Sequence, residues 1–129
     1  MDRYSVARVS GPSDEVITRA EARLHLKIDS DQTADDALID LLTTAAREDA
    51  EDFCNRCFVY STWELRLDEF PSRAYNEILL PRPPLISVNS VKYIDANGAT
   101  QTLGSDNWYV DAKSEPARLR PAYGLAWPA

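Results

Sequence analysis

The sequence predicts an α+β fold in which N-terminal helices, one short and one long of about 22 residues, precede a small antiparallel β region. Three observations carry this reading. Apolar residues recur at threes and fours from Ala34 to about Arg56, the period changes to two after Phe58, and an Asn97-Gly98 pair separates two short strand-like segments.

Residues 1–17 are polar, broken by Gly11 and Pro12, and lack periodicity, so they read as an N-terminal arm or a short edge strand. A helix opens at Thr18-Arg19-Ala20-Glu21, where the threonine hydroxyl accepts from the third helical N–H and Glu21 reaches back, closing a capping box. Ala20, Leu24 and Ile28 share one face of this helix, which runs about two to three turns. A loop, Asp29-Ser30-Asp31-Gln32, leads to a second box at Thr33-Ala34-Asp35-Asp36, whose acids suit the positive end of a helix dipole. In the long helix that follows, Leu38, Leu42, Ala45, Ala46, Ala50, Phe53 and Cys57 hold the apolar positions. Asp40, Arg47, Glu48, Glu51 and Asp52 take much of the remainder. At 1.5 Å per residue it is about 33 Å long.

Trp63, Leu65 and Leu67 then alternate with Thr62, Glu64, Arg66 and Asp68, the pattern of a half-buried strand. Asn76 to Leu80 reads as a second strand, ended by prolines that cannot donate to a ladder. Val88–Ile94 and Ala99–Leu103 flank the best hairpin signal, Asp95-Ala96-Asn97-Gly98. Trp108–Asp111 and Ala117–Arg120 complete the set. The chain therefore reads as an arm over residues 1–17 and a single domain over 18–129, helical at 18–57 and antiparallel β at 58–121, with a tail at 122–129.

Composition bounds the function. The 129 residues carry 21 acids against 14 bases, a formal charge of −7, which disfavours tight binding to phosphates. No apolar run approaches the roughly 20 residues of a bilayer span, and the first residues lack the apolar core of a secretory signal, so membrane residence and secretion by that route are not expected. Two cysteines are too few for a disulfide framework.

Each candidate for chemistry has a simpler account. Cys54-Asn55-Arg56-Cys57 has redox spacing but closes a helix, whereas thioredoxin-type pairs open one. His25 is the only histidine, too few ligands for zinc with two cysteines, and no nucleophile elbow accompanies it. The loop Asp29 to Asp40 resembles a calcium loop but has Ala34 where glycine is needed and Asp40 where a bidentate glutamate belongs. None of the four glycines forms a phosphate loop. No catalytic residue, metal or cofactor is therefore expected. A metal-binding or redox protein is one rival reading. A nucleic-acid-binding regulator is another, although the long helix sets Arg47 and Arg56 against seven acids. Trp63, Trp108, Trp127, Tyr93, Tyr109, Tyr123 and eight prolines are residue types that anchor protein interfaces, and they favour a binding or assembly module.

Five stretches in order resemble the head-to-tail connector (adaptor) family of tailed bacteriophages and prophages. Ile17-Thr18-Arg19-Ala20-Glu21-Ala22 with Leu24-His25-Leu26 is similar to the family's opening helix, and Asp36-Ala37-Leu38-Ile39 with Leu42, Ala45-Ala46-Arg47-Glu48 and Glu51 to its long helix. Thr62 to Asp68 with Phe70-Pro71, then Ile78 to Leu85, then Ser87-Val88 and Val91 to Asp95 with Gly98 resemble the strands that follow. Members usually continue past a Trp-Pro like Trp127-Pro128 into a strand, a glycine turn and a C-terminal helix, so a shortened or truncated chain is expected here.

The resemblance implies a non-enzymatic virion protein, assembled from the host cytoplasm into a ring of identical subunits, with twelvefold symmetry expected. Its partners would be the portal protein on one side and a stopper or tail-completion protein on the other, with DNA passing through without specific binding and no membrane contact. Leu38, Leu42, Arg47, Glu48, Glu51, Asp52 and Arg56 are the candidate subunit interface. Pro81, Arg82, Pro83 and Pro84 are candidate contacts to the portal or a neighbour.

Overall fold

The computed structural model describes residues 4–72 and 76–129. Residues 1–3 of the expected arm lie outside the described residues. The element order is β1 (Tyr4–Ser10), α1 (Arg19–Leu26), α2 (Asp36–Cys54), β2 (Thr62–Leu67), β3 (Ile78–Leu80), β4 (Val91–Ile94), β5 (Thr100–Leu103), a 3-10 turn at Ser105–Asn107, β6 (Trp108–Asp111) and β7 (Ala117–Pro121). Helices followed by antiparallel sheets make the mixed α+β class that the sequence predicts. The arm carries a strand, β1, which pairs with β2. The chain divides into two compact units, residues 8–63 and residues 1–7 with 64–129.

In the helical unit, the first capping box forms as expected. Thr18 Oγ1 accepts from Glu21 N–H at 3.2 Å, and Glu21 Oε2 accepts from Thr18 N–H at 2.8 Å. Lys27, in the left-handed conformation, closes α1. The second box does not form: α2 begins at Asp36 after Asp35, which makes no side-chain cap. The reason is tertiary, because Asp36 is drawn instead to Arg23 at 2.8 Å and Arg19 at 3.5 Å, so its carboxylate cannot reach back to the chain. Arg19 also pairs with Asp40 one turn on. The helix ends where Asn55 turns left-handed, leaving 19 residues rather than about 22.

In the β unit, β7 lies centrally between β3 and β6, and β4 pairs with β5. Ala117, Leu119 and Pro121 of β7 are buried, and Arg118 and Arg120 alternate with them on the outer face. Ile78, Leu119 and Trp127 form the core, sealed by Leu65, Leu67, Phe70, Leu80, Val91, Leu103, Trp108 and Val110. Phe70 stacks on Trp127 with ring centroids 5.0 Å apart. The β2 alternation holds as read, with Trp63, Leu65 and Leu67 the more buried set.

The hairpin holds too, by a longer turn than a tight Asn-Gly pair. Only Gly98 has positive φ there, +80°. Asp95 Oδ1 accepts from Asn97 N–H and Ala99 N–H at 2.9 and 3.0 Å, and Gly98 N–H bonds Asp95 C=O at 2.9 Å. The glycine supplies the left-handed residue of a bulged turn, and the register places Ile94 opposite Thr100.

Candidate functional site, an outward apolar helix face

The long helix is inside out relative to its sequence pattern. Its buried residues are Ile39, Arg47 and Glu51, whereas Leu38, Leu41, Leu42 and Phe53 are exposed, Phe53 by 89%. At 3.6 residues per turn, Leu38, Leu42, Ala45 and Asp49 fall within about 60° of one another, and Arg47 lies about 180° from Leu38. Apolar periodicity alone would turn the leucine face inward.

An ion network explains the inversion. Arg47 reaches Glu15 with Nε at 2.6 Å and Nη2 at 3.2 Å, and Glu51 with Nη1 at 2.8 Å. Glu51, at 0% exposure, also accepts from Arg8 Nη2 at 3.3 Å and from Phe58 N–H at 2.8 Å. Glu48 accepts from Arg8 Nη1 at 2.9 Å, and Thr44 Oγ1 donates to Glu15 at 2.8 Å. The Arg8 guanidinium lies over the Trp63 ring, 4.9 Å from its centroid. Buried charges persist only when paired and hydrogen-bonded, and here β1, the loop carrying Glu15 and the turn after α2 all supply partners. The hydrogen bond from Arg47 holds the Glu15 carboxyl below its ordinary value.

Of the residues singled out as a subunit interface, Leu38, Leu42, Glu48 and Asp52 are exposed and Arg56 is half-buried. Arg47 and Glu51 are enclosed and their charges are met within the chain, which corrects their placement on a contact surface. A pair of opposite charges four apart on a helix was legible as a local ion pair; its burial was not, because Arg8 and Glu15 are distant in sequence. Leu41, exposed like Leu38 and Leu42, belongs with them by the same spacing. The Pro81 to Pro84 turn is half-buried over residues 81–83, with Arg82 at positive φ and Pro84 exposed.

A second surface lies on the outer face of β3, β7 and β6. Arg118 and Arg120 flank Glu77, which pairs with both, at 3.6 Å for Arg118. The Tyr109 hydroxyl and Glu77 stabilise the Arg120 guanidinium in its charged form. Asn76, Glu77, Tyr109, Arg120, Pro121, Ala122, Tyr123 and Gly124 line an open cleft of about 470 Å³ there, and Tyr123 stands wholly exposed on its rim. Alternation in β7 signals the outward arginines; the approach of Glu77 depends on pairing of β3 with β7.

Among the described residues no group of three or more His, Cys, Asp or Glu is placed to hold a metal ion, and no helix is long and apolar enough to cross a membrane. Cys54 is exposed, and the half-buried Cys57 thiol donates to Val59 C=O at 2.9 Å. His25 is exposed on α1. Asp29 and Asp31 of the acidic loop are exposed, and Asp36 and Asp40 are engaged by arginines.

The model of the phage gp6-like head-tail connector protein family matches residues 17–103, well over half of the chain and the whole of α1 and α2. No curated protein and no solved structure matches the chain. The chain belongs to the phage gp6-like head-tail connector family.

Proposed function

We propose that this connector protein acts as one subunit of a homo-oligomeric ring between the portal of a DNA-filled capsid and the stopper or tail, using shape and contact rather than catalysis. The observation that carries the reading is the outward apolar face of α2. A helix that buries Arg47 and Glu51 while exposing Leu38, Leu41, Leu42 and Phe53 leaves the surface that a protein contact would cover unsatisfied in the single chain. Fully burying one such side chain stabilises an association by about 1.5–3 kcal/mol, so three or four of them outweigh the exposed ion pairs at about 0–1 kcal/mol each. Subunit contacts thus centre on Leu38 and Leu42 with Glu48, Asp52 and Arg56 at the rim, and Pro81, Arg82, Pro83 and Pro84 are candidate contacts to the portal or a neighbour.

The net charge of −7 suits a conduit for DNA, because acidic walls repel phosphate and hold no genome in transit. The test is assembly with and without the protein. In a phage encoding it, loss of the chain is expected to leave filled heads and separate tails, and a chain with Leu42→Glu is expected not to restore joining. Normal virions without the protein would refute the reading. Native mass spectrometry of the chain with the portal protein is expected to show a ring of subunits on the portal.

A further inference from the structure

The charge layout along α2 limits how a second copy can meet it. The N-terminal half of the exposed face is Leu38, Leu41, Leu42 and Ala45; the C-terminal half is Glu48, Asp49 and Asp52 beside Phe53. Arg47, the sole cation between Leu38 and Phe53, is buried on the opposite side.

Two such faces cannot mate with each other at low cost. Antiparallel packing centred on Ala45 sets Leu38 against Asp52 and Leu41 against Asp49; parallel packing sets Asp49 against Asp49 and Asp52 against Asp52. Either arrangement takes the Asp49 carboxylate out of water with no cation supplied by the facing helix. A counter-surface must instead offer aromatic or apolar area together with guanidinium groups.

The chain has such a surface on its β unit. On the outer face of β3, β7 and β6, Tyr109, Tyr123 and Leu79 are exposed, and two arginines, Arg118 and Arg120, share the carboxylate of Glu77. Across the sheet Arg118 lies in register with Asp111 and Arg120 with Tyr109. Tyrosine and arginine around a cleft are the residue types that dominate interface energetics, and a guanidinium can accept a second carboxylate through its remaining donors.

We infer that the α2 face of one copy docks on the Tyr109–Arg120–Tyr123 cleft of the next copy, with Leu41, Leu42 and Phe53 against the tyrosines and Asp49 toward Arg118 and Arg120. This rests on the reading of the protein as a self-assembling ring and specifies its contact. The contact is heterologous: each copy offers a helix face to one neighbour and a cleft to the other, so the series closes into a ring or extends as a filament.

The test uses two variants of the whole chain and sedimentation velocity up to about 1 mM, the weak end of specific association. Leu41→Asp/Leu42→Asp disables the helix face and leaves the cleft; Tyr123→Asp disables the cleft at a side chain that is fully exposed, and Arg120→Glu is its independent second version. Wild type is expected to form oligomers beyond the dimer, and each variant alone to weaken association by about tenfold or more. An equimolar mixture of the helix-face and cleft variants is expected to form a one-to-one heterodimer and stop there, because it retains one intact pairing.

Cleft variants that associate like wild type overturn the inference while leaving the ring reading intact; a helix-face variant that does so overturns the inference together with the placement of subunit contacts on α2. A mixture that stays monomeric also overturns it. Wild type that remains monomeric over the whole range overturns both this contact and unaided ring formation.

Discussion

Glu51→Gln deletes one charge from an enclosed carboxylate with almost no change in volume. Glu51 accepts from Arg47 at 2.8 Å, Arg8 at 3.3 Å and Phe58 N–H at 2.8 Å. Glutamine keeps one oxygen, which serves both guanidiniums in the place of Oε2 or Phe58 N–H in the place of Oε1, and turns an amide N–H₂ toward what remains, where donor meets donor. A hydrogen bond to a charged group contributes about 1.5–3 kcal/mol, and breaking a buried pair costs about 3–5 kcal/mol. Arg47 retains Glu15 at 2.6 Å, which places the loss at the lower end, about 3 kcal/mol. For a chain of this length that lowers Tm by about 10 °C.

Urea unfolding followed by far-UV circular dichroism reads the helical unit directly. A loss below about 0.5 kcal/mol, the range of surface substitutions, would refute the claim that this network holds the inverted helix in place. Arg47→Met alone is expected to destabilise more than Arg47→Met with Glu51→Leu, because the double change leaves no unpaired carboxylate between them.

Further expectations follow from the same geometry. Leu42→Glu, at a side chain 58% exposed, is expected to change unfolding free energy by less than about 0.5 kcal/mol, whereas Leu119→Ala at a buried site is expected to cost about 2–5 kcal/mol; chemical denaturation of both separates surface from core. The folded Glu15 carboxyl is held below its ordinary value of 4.5, so its contribution is fully present above about pH 4.5 and is lost as pH falls through the lower folded value. Acid titration of wild type and Glu15→Gln is expected to show a smaller stability loss for the variant across that window, and identical profiles would remove Glu15 from the account. Gly98→Ala, at φ +80° with open space around it, is expected to cost about 1 kcal/mol through backbone strain alone, read as a lower thermal midpoint.

By itself the sequence determined the order and type of the elements. Period 3.6 before Phe58 and period 2 after it, the Thr18–Glu21 box, the prolines after Leu80 and the Asp95–Gly98 turn are local signals, and local hydrogen bonds and sterics are enough to realise them. The family resemblance was legible for the same reason, since it rides on that order. Tertiary structure decided which side of α2 faces inward. Apolar spacing favours the leucine face, and the outcome reverses because Arg8, 43 residues from Glu51, and Glu15, 32 residues from Arg47, bring compensating charge and hydrogen bonds to them. It also decided that Asp36 answers two arginines of α1 rather than capping its own helix. Partners so distant along the chain leave no periodic trace, so the surface available for assembly emerges only when the fold shows which charges have already been met.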